Sequence, residues 1–329
     1  MNGYILKKGR ASLSDLIDGN GASGYPGAGY LGRDYYVNNI TGASGNDGSS
    51  WDSAMDQVTT AITASELYRL AQATNNTFVR NRIIVQGTAT LYSALTALPN
   101  WTDVIGIGAD PRGNGSGICR IGATSATDGA TGSGGSTDMR GTNWYNIQFN
   151  TGGNYYAFHA PVAYRCRWEN CTFGTADVGA ACYGGLFIVS GSGVVIKNCS
   201  TITHSTGYCV DGLKIGADGG TSSGNFNQCL VEDSMFYGST DGILNNAYLC
   251  NQTVFRNNTV YGTTYGIRDT STETTIGGNA FYVGNYAGGT TAGISIANTG
   301  NAAYQCLGNF TCDAGENHIF SVPVVTTST

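Results

Sequence analysis

The chain has 329 residues, of which 50 are glycine and 12% are charged, with a formal net charge of −6. So much glycine with only 5 prolines and no Gly-X-Y period excludes a collagen-like triple helix, and 41% hydrophobic residues exclude a wholly disordered chain. The 22 acidic residues against 16 basic ones leave no electrostatic footprint for nucleic acid or an anionic membrane, and neither is expected as a partner.

Residues 1–34 are Gly-rich and weakly patterned and read as an N-terminal attachment arm. Lys7, Lys8 and Arg10 are not followed by an apolar h-region, so no signal peptide is expected, and no apolar run is long enough to cross a bilayer. Residues 35–80 are expected to hold the opening strand and a capping helix. Asp34–Val37 reads as the strand, Gly45–Gly48 as a turn, and Ser53 to about Ala73 as the helix. Asp52 or Ser53 would cap it, with Met55, Val58, Ile62 and Leu70 near one face. Residues 81–329 form the body: Asn81–Gln86 and Val104–Gly108 resemble its first strands, and residues 109–142, rich in Gly, Ser, Thr and Ala, read as a long excursion.

Repeats decide the fold. Six-residue stretches recur with the order apolar, polar, Asn or Asp, small, any, and usually apolar, and their third positions are Asn146, Asn170, Asn198, Asp233, Asn257, Gly278 and Asn309. Successive steps are 24, 28, 35, 24, 21 and 31 residues. A second series, Gly185-Leu186, Gly212-Leu213, Gly242-Ile243, Gly266-Ile267 and Gly293-Ile294, keeps pace with the first. Two registers in step imply a coil that returns to the same place each turn, built from short strands that stack on their own copies. Asn, Asp and Gly suit the third position because they tolerate a left-handed backbone, and an Asn amide can bond its copy above and below. The expected fold is all-β: a single-stranded right-handed parallel β-helix of seven to nine coils, with an N-terminal arm and a capping helix over its open end. The ten cysteines fall within apolar strand patterns, without a Cys-x-x-Cys pair, and are expected to be reduced core residues. Cys171 and Cys199 take equivalent places in consecutive coils and are expected to stack as small side chains, with a disulfide between them as the alternative. No metal site or cofactor is expected, since only His159, His204 and His318 could join the cysteines.

The run Asp34-Tyr-Tyr-Val-Asn-Asn, then Gly45-Asn-Asp-Gly-Ser-Ser-Trp51-Asp-Ser-Ala54, then Val58-x-x-Ala61-Ile62, resembles the leading segment of right-handed parallel β-helix proteins of the pectate-lyase-like superfamily. The Gly-Ile and Asn registers resemble that fold too. With Ile105-Gly-Ile-Gly-Ala-Asp-Pro-Arg112, the chain resembles structural proteins of aquatic tailed phages. The resemblance implies a virion protein, either a capsid decoration or a tail spike, assembled in the host cytoplasm.

The superfamily also implies polysaccharide lyases and hydrolases, so catalytic constellations matter. A glycoside hydrolase needs two carboxylates about 5 to 9.5 Å apart. Asp211 and Asp241 each precede a register glycine in adjacent coils and lead the catalytic candidates, although turn-capping aspartates with solvated heads are the commoner explanation of such a pair. Lys214 and Arg268 each sit two residues after a register glycine, with Leu244 between them, and Asp269 and Glu273 follow, so a charged cluster could line one sheet. Glu232 and Asp233 read as surface and turn residues, and His204 with Tyr208 as a solvated loop pair. The polygalacturonase-type motifs Asn-Thr-Asp, Gly-His-Gly and Arg-Ile-Lys are absent. The 20 tyrosines suit sugar stacking or subunit interfaces. The expected function is a non-enzymatic virion surface protein, a rigid homotrimer bound to phage capsid or tail proteins through its arm. The alternatives are a polysaccharide depolymerase and a passive adhesin for a host surface polysaccharide.

Overall fold

Strands too short to be stable alone gain their stability by stacking, and the computed structural model shows how. It describes residues 32–72, 79–113, 115–132, 138–175, 182–201, 209–217, 224–271, 280–296, 305–312 and 319–320. Three sheets run along one axis. Sheet one has ten strands, from Asp34–Val37 to Gln305–Leu307, and sheet two has ten, from Tyr92–Ser93 to Ile319–Phe320. Sheet three runs through Asp138–Arg140, Tyr156–Tyr164, Cys182–Ser192, Cys209–Ile215, Asp241–Asn245, Tyr265–Asp269 and Ala292–Ile296, with Phe226–Asn227 as a side branch. Neighbouring strands pair in parallel except the last two of sheet two. The chain is thus a right-handed parallel β-helix. Among the described residues, six turns between Asn143 and Ile296 carry all three strands, and partial turns extend them at both ends.

The interior is filled by side chains stacked on their counterparts one turn on. Sheet one aligns Trp144, Trp168, Ile196, Val231, Phe255 and Tyr282, and sheet three aligns Phe158, Leu186, Leu213, Ile243 and Ile267, all buried. Within one turn the inward rings of Trp144, Phe149 and Phe158 meet edge to face at 4.8–5.5 Å, while Phe149 stacks on Phe173 of the next turn at 5.7 Å. Each such side chain contributes about 1.5–3 kcal/mol on burial. The second register explains its own composition. Cβ atoms on Gly185, Gly212 and Gly266 would lie 2.5–2.6 Å from the carbonyl oxygen of the matching glycine one turn on, so only glycine lets the turns close up there.

The corner between sheets one and two is made by a left-handed residue in every turn. Asn146, Asn170, Asn198, Asp233 and Asn257 have φ of 49–55°. The next two are Gly284 and Gly308, with φ of 63° and 60°, and this corrects the sequence reading at both places. Gly278 lies outside the described residues, and Asn309 stands one position beyond the left-handed residue. With Gly284 and Gly308 the last steps become 27 and 24, closer to the rest. The file is stitched by amides: Asn146 Nδ2 donates to the Gly106 carbonyl at 2.9 Å, Asn170 Nδ2 to Asn146 Oδ1 at 2.8 Å, and Asn198 Nδ2 to Asn170 Oδ1 at 3.3 Å.

A second file runs inside the first. The residues after the corner are Ile147, Cys171, Cys199, Ser234, Asn258, Asn285 and Asn309, all buried. In the last three turns Asn258 and Asn285 each donate Nδ2 to the Oδ1 of the next asparagine and to a carbonyl of the turn before, at 2.9–3.0 Å. Asn309 donates to the Tyr282 carbonyl at 2.7 Å. The corner from sheet three back to sheet one has left-handed residues of less expected types, Trp101, Arg165, Gln228 and Gln252, with φ of 50–54°. Each costs about 1–2 kcal/mol relative to the right-handed form, which the stacked neighbours offset.

The helix spans Val58–Ala71, starting five residues later than the sequence suggested. Residues before it are committed elsewhere. Met55 N donates to the Tyr36 carbonyl at 2.9 Å, Asn38 N to the Met55 carbonyl at 2.8 Å, and the Ser53 hydroxyl accepts from Ser50 N at 3.2 Å. Gln57 stands at the N-cap without a side-chain capping bond, so neither Asp52 nor Ser53 caps the helix. The buried face is Val58, Ala61, Ile62, Ser65 and Arg69; Leu70, one position off, is exposed. Asn81 Nδ2 donates to the Ser65 carbonyl and Tyr35 Oη to the Ala64 carbonyl, which ties the helix to the first turns. Residues 109–142 are not wholly an excursion, since Arg120–Ala126 joins sheet two and Asp138–Arg140 joins sheet three. Ile121, stacked in register with Phe149, is the apolar anchor that the small-residue composition hid.

Outside sheet one, Glu169, Lys197, Glu232 and Arg256 alternate in sign down four turns. Glu232 is buried rather than at the surface, because Lys197 Nζ lies 3.0 Å and Arg256 Nε 2.8 Å from its carboxylate. Desolvation pushes its pKa up, but the hydrogen bonds from Lys197 and Arg256 outweigh this and hold it below the ordinary value.

Two predictions follow from these files. Asn285→Leu strands polar groups of Asn258 and Asn309 and should cost about 2–5 kcal/mol, whereas Asn170→Gly, at a partly exposed left-handed site, should cost under about 1 kcal/mol; chemical denaturation compares them. Because the folded pKa of Glu232 is depressed, its contribution is present above the unfolded value, about 4.3, and is lost as pH falls through the folded value. Glu232→Gln should therefore flatten the acid limb of the thermal midpoint against pH.

Candidate functional site on the outer face of sheet three

Strand alternation sends Leu186, Leu213, Ile243 and Ile267 inward and the next residue outward, so one outer row reads His159, Phe187, Lys214, Leu244, Arg268 and Ser295 in register. A second row lies three residues earlier in each strand: Tyr156, Gly184, Asp211, Asp241, Tyr265 and Ala292. The register glycine and the residue after it both face inward, so the alternation slips by one there, and the four sequence candidates, Asp211, Asp241, Lys214 and Arg268, share one face, with Leu244 between the two cations as the sequence implied.

Asp211 and Asp241 are buried, not turn caps with solvated heads. Arg268 Nη2 stands 2.8 Å from Asp241 Oδ2, and Lys214 Nζ stands 4.0 Å from Asp211 Oδ2. The Asp241–Arg268 contact is close but poorly aligned, and neither Asp241 oxygen gains a well-formed hydrogen bond from the described residues. Burial accordingly pushes the Asp241 pKa up, against the lowering pull of Arg268 and Lys214. Asp269 leaves the cluster altogether. It points into the coil, where Tyr282 Oη, Ser271 N, Ser271 Oγ and Asn245 Nδ2 donate to it at 2.5–3.0 Å. Glu273, His204 and Tyr208 lie outside the described residues.

The structure adds an aromatic end that the sequence reading missed. Tyr156 lies over Gly184, where a Cβ would meet its ring at 2.8 Å, and so reaches across a whole turn to accept a hydrogen bond from Lys214 Nζ at 3.3 Å. Phe187 packs against Tyr156 at 4.6 Å and stacks on His159 at 4.7 Å. Asp128 joins from the preceding turn, with Oδ2 3.3 Å from His159 Nδ1 and Oδ1 accepting from Tyr156 N at 2.9 Å. Tyr183, half exposed, faces Tyr156 at 6.2 Å, and Arg268 lies over the Tyr265 ring at 5.2 Å. One signal could have found this end. Ala157 stands in the register of Gly185 and Gly212, so extending that series back by one turn puts Tyr156 and His159 on the same two rows as Asp211 and Lys214.

The face is thus a strip with rings at one end, a one-third exposed guanidinium at the other, and carboxylates sunk beneath the cations. From the Tyr156 turn to the Tyr265 turn it is four steps long, about 19 Å at ~4.8 Å per step. Among the described residues no three His, Cys, Asp or Glu side chains gather as metal ligands. No protein-family model matches the chain, and no curated protein does. Among solved structures, the A-module of the Azotobacter vinelandii mannuronan C-5 epimerase AlgE6 is similar, with 11% identity over 82% of this chain and 93% of that chain and a TM-score of 0.38. Similarity at this level says nothing about individual residues.

Because Arg268 holds the Asp241 pKa down against burial, Arg268→Ala should raise it further above the ordinary value of about 3.9. Carboxyl chemical shifts followed against pH read the change, and an unmoved midpoint would show that the two groups do not interact.

Proposed function

We propose that this protein is a non-catalytic, glycan-binding β-helix that serves as a rigid surface protein of a virion, trimeric and attached through residues 1–34. The observation that carries the binding role is the strip on sheet three, where Tyr156, Tyr183 and Tyr265 offer ring faces for sugars and Arg268 offers a guanidinium for a carboxylate or sulfate. An extended acidic polysaccharide laid along the axis would meet both. The same geometry argues against hydrolysis by the aspartate pair. Both carboxylates are buried, which keeps their oxygens from reaching a glycosidic oxygen or an attacking water on the surface of the strip. The virion role is supported by the stiffness of stacked turns and by the sequence resemblance to phage structural proteins.

Tyr183→Ala and Arg268→Ala should each weaken binding to an acidic polysaccharide about tenfold, ~1.4 kcal/mol, with no new reducing ends or unsaturated uronates in the mixture. Appearance of either product, lost in Asp211→Asn or Asp241→Asn, would replace this reading with a depolymerase; equal binding by wild type and both variants would remove the strip from consideration. Deleting residues 2–30 should abolish attachment to particles while the circular dichroism of the body is kept, and retained attachment would count against the arm.

A further inference from the structure

Ten cysteines are spread along the coil, and most occupy places that explain them as small apolar side chains. Cys166 donates its thiol to the Met139 carbonyl at 3.2 Å and Cys229 to the Asn227 carbonyl at 3.1 Å. Cys171 and Cys199, which follow the left-handed corner in consecutive turns, donate to the carbonyls of Glu169 and Lys197 at 3.5 and 3.3 Å. Cys182 and Cys209 differ. They are the first residues of adjacent strands of sheet three, paired directly in register, and both are buried. Their sulfurs lie 2.7 Å apart, closer to each other than the sulfur of any other described cysteine lies to its own hydrogen-bond partner.

We propose that Cys182 and Cys209 form a disulfide that staples two successive turns together. In-register parallel neighbours put Cα atoms about 4.8 Å apart, within the window of about 4.4–6.8 Å that a disulfide spans. Bonding requires the sulfurs to close from 2.7 Å to the roughly 2.05 Å of a disulfide. The bond forms by loss of one hydrogen from each thiol, and the two electrons pass to a low-molecular-weight disulfide. One cysteine thiolate attacks it, releasing one small thiol and leaving a mixed disulfide; the second cysteine then displaces the other small thiol. The hydrogen bond with Cys182, then burial, and then the charge of the nearby Asp211 disfavour the Cys209 thiolate, so the reaction is slow near neutrality and faster at alkaline pH. Once formed, the bond is reached by reductants only through the same slow opening of the buried site that admits the oxidant. The staple lies two residues before Gly184 in one turn and before Asp211 in the next, so it fixes the two turns that Tyr156 bridges to reach Lys214.

The test is to incubate the folded protein with oxidised glutathione at mildly alkaline pH, alkylate it in denaturant, and map the peptides without reduction. The expected result is two alkylated cysteines fewer than the ten of the sequence, a linked peptide pair containing Cys182 and Cys209, and a raised thermal midpoint. Reductant should reverse the link readily only after denaturation. Cys182→Ala and Cys209→Ala should each keep the fold by circular dichroism and lose the response of the midpoint to the oxidant. Ten alkylated cysteines after prolonged exposure, glutathione held as a stable mixed disulfide on either residue, or a link between other cysteines would each overturn the proposal. If either alanine variant fails to fold, the peptide map of the wild-type chain decides alone.

Discussion

Every turn of this molecule must end where the previous one ended, displaced by one strand spacing, and in-register parallel pairing enforces that constraint. Once Trp168 is paired with Trp144 and Leu213 with Leu186, the interior can fill only with side chains that stack on their own counterparts. The corners then have to turn within one or two residues. A left-handed residue on each side of sheet one achieves this, and the strain is spread over a file of identical sites. The asparagine amides serve the same end twice, outside as a half-exposed ladder and inside as a buried one, where each amide satisfies groups that would otherwise be stranded.

The same constraint builds the outer face of sheet three. Residues that are far apart in sequence and share a position in the turn are brought into rows, so a tyrosine, a lysine, an aspartate and an arginine from four different turns become neighbours. Their burial differs sharply, and that difference decides what they can do. The carboxylates are sunk, the lysine is held under a tyrosine ring, and the arginine and the outer tyrosines remain accessible.

Much of the fold was legible in the sequence, because a coil repeats its local requirements. The third-position series and the glycine series mark real registers, and Asn81–Gln86 is a strand with the boundaries the pattern gave. The hexad pattern points to Gly278 and Asn309 as corner residues, while the backbone places its left-handed residues at Gly284 and Gly308. The helix was begun too early because Ser53 looks like a cap in sequence, whereas Met55 is already paired with the strand that starts at Asp34.

By itself the sequence determined that the chain coils, which face of each strand points inward, and that Asp211, Asp241, Lys214 and Arg268 belong to one sheet, since all of these follow from period and alternation. Tertiary structure alone decided that Asp211 and Asp241 are buried, that Asp269 turns away from Arg268 into the core, that Tyr156 crosses a glycine to reach Lys214, and that Cys182 faces Cys209. Those outcomes depend on how neighbouring turns pack against each other, and packing between turns sets burial, reach and contact distance in ways that no single strand's pattern encodes.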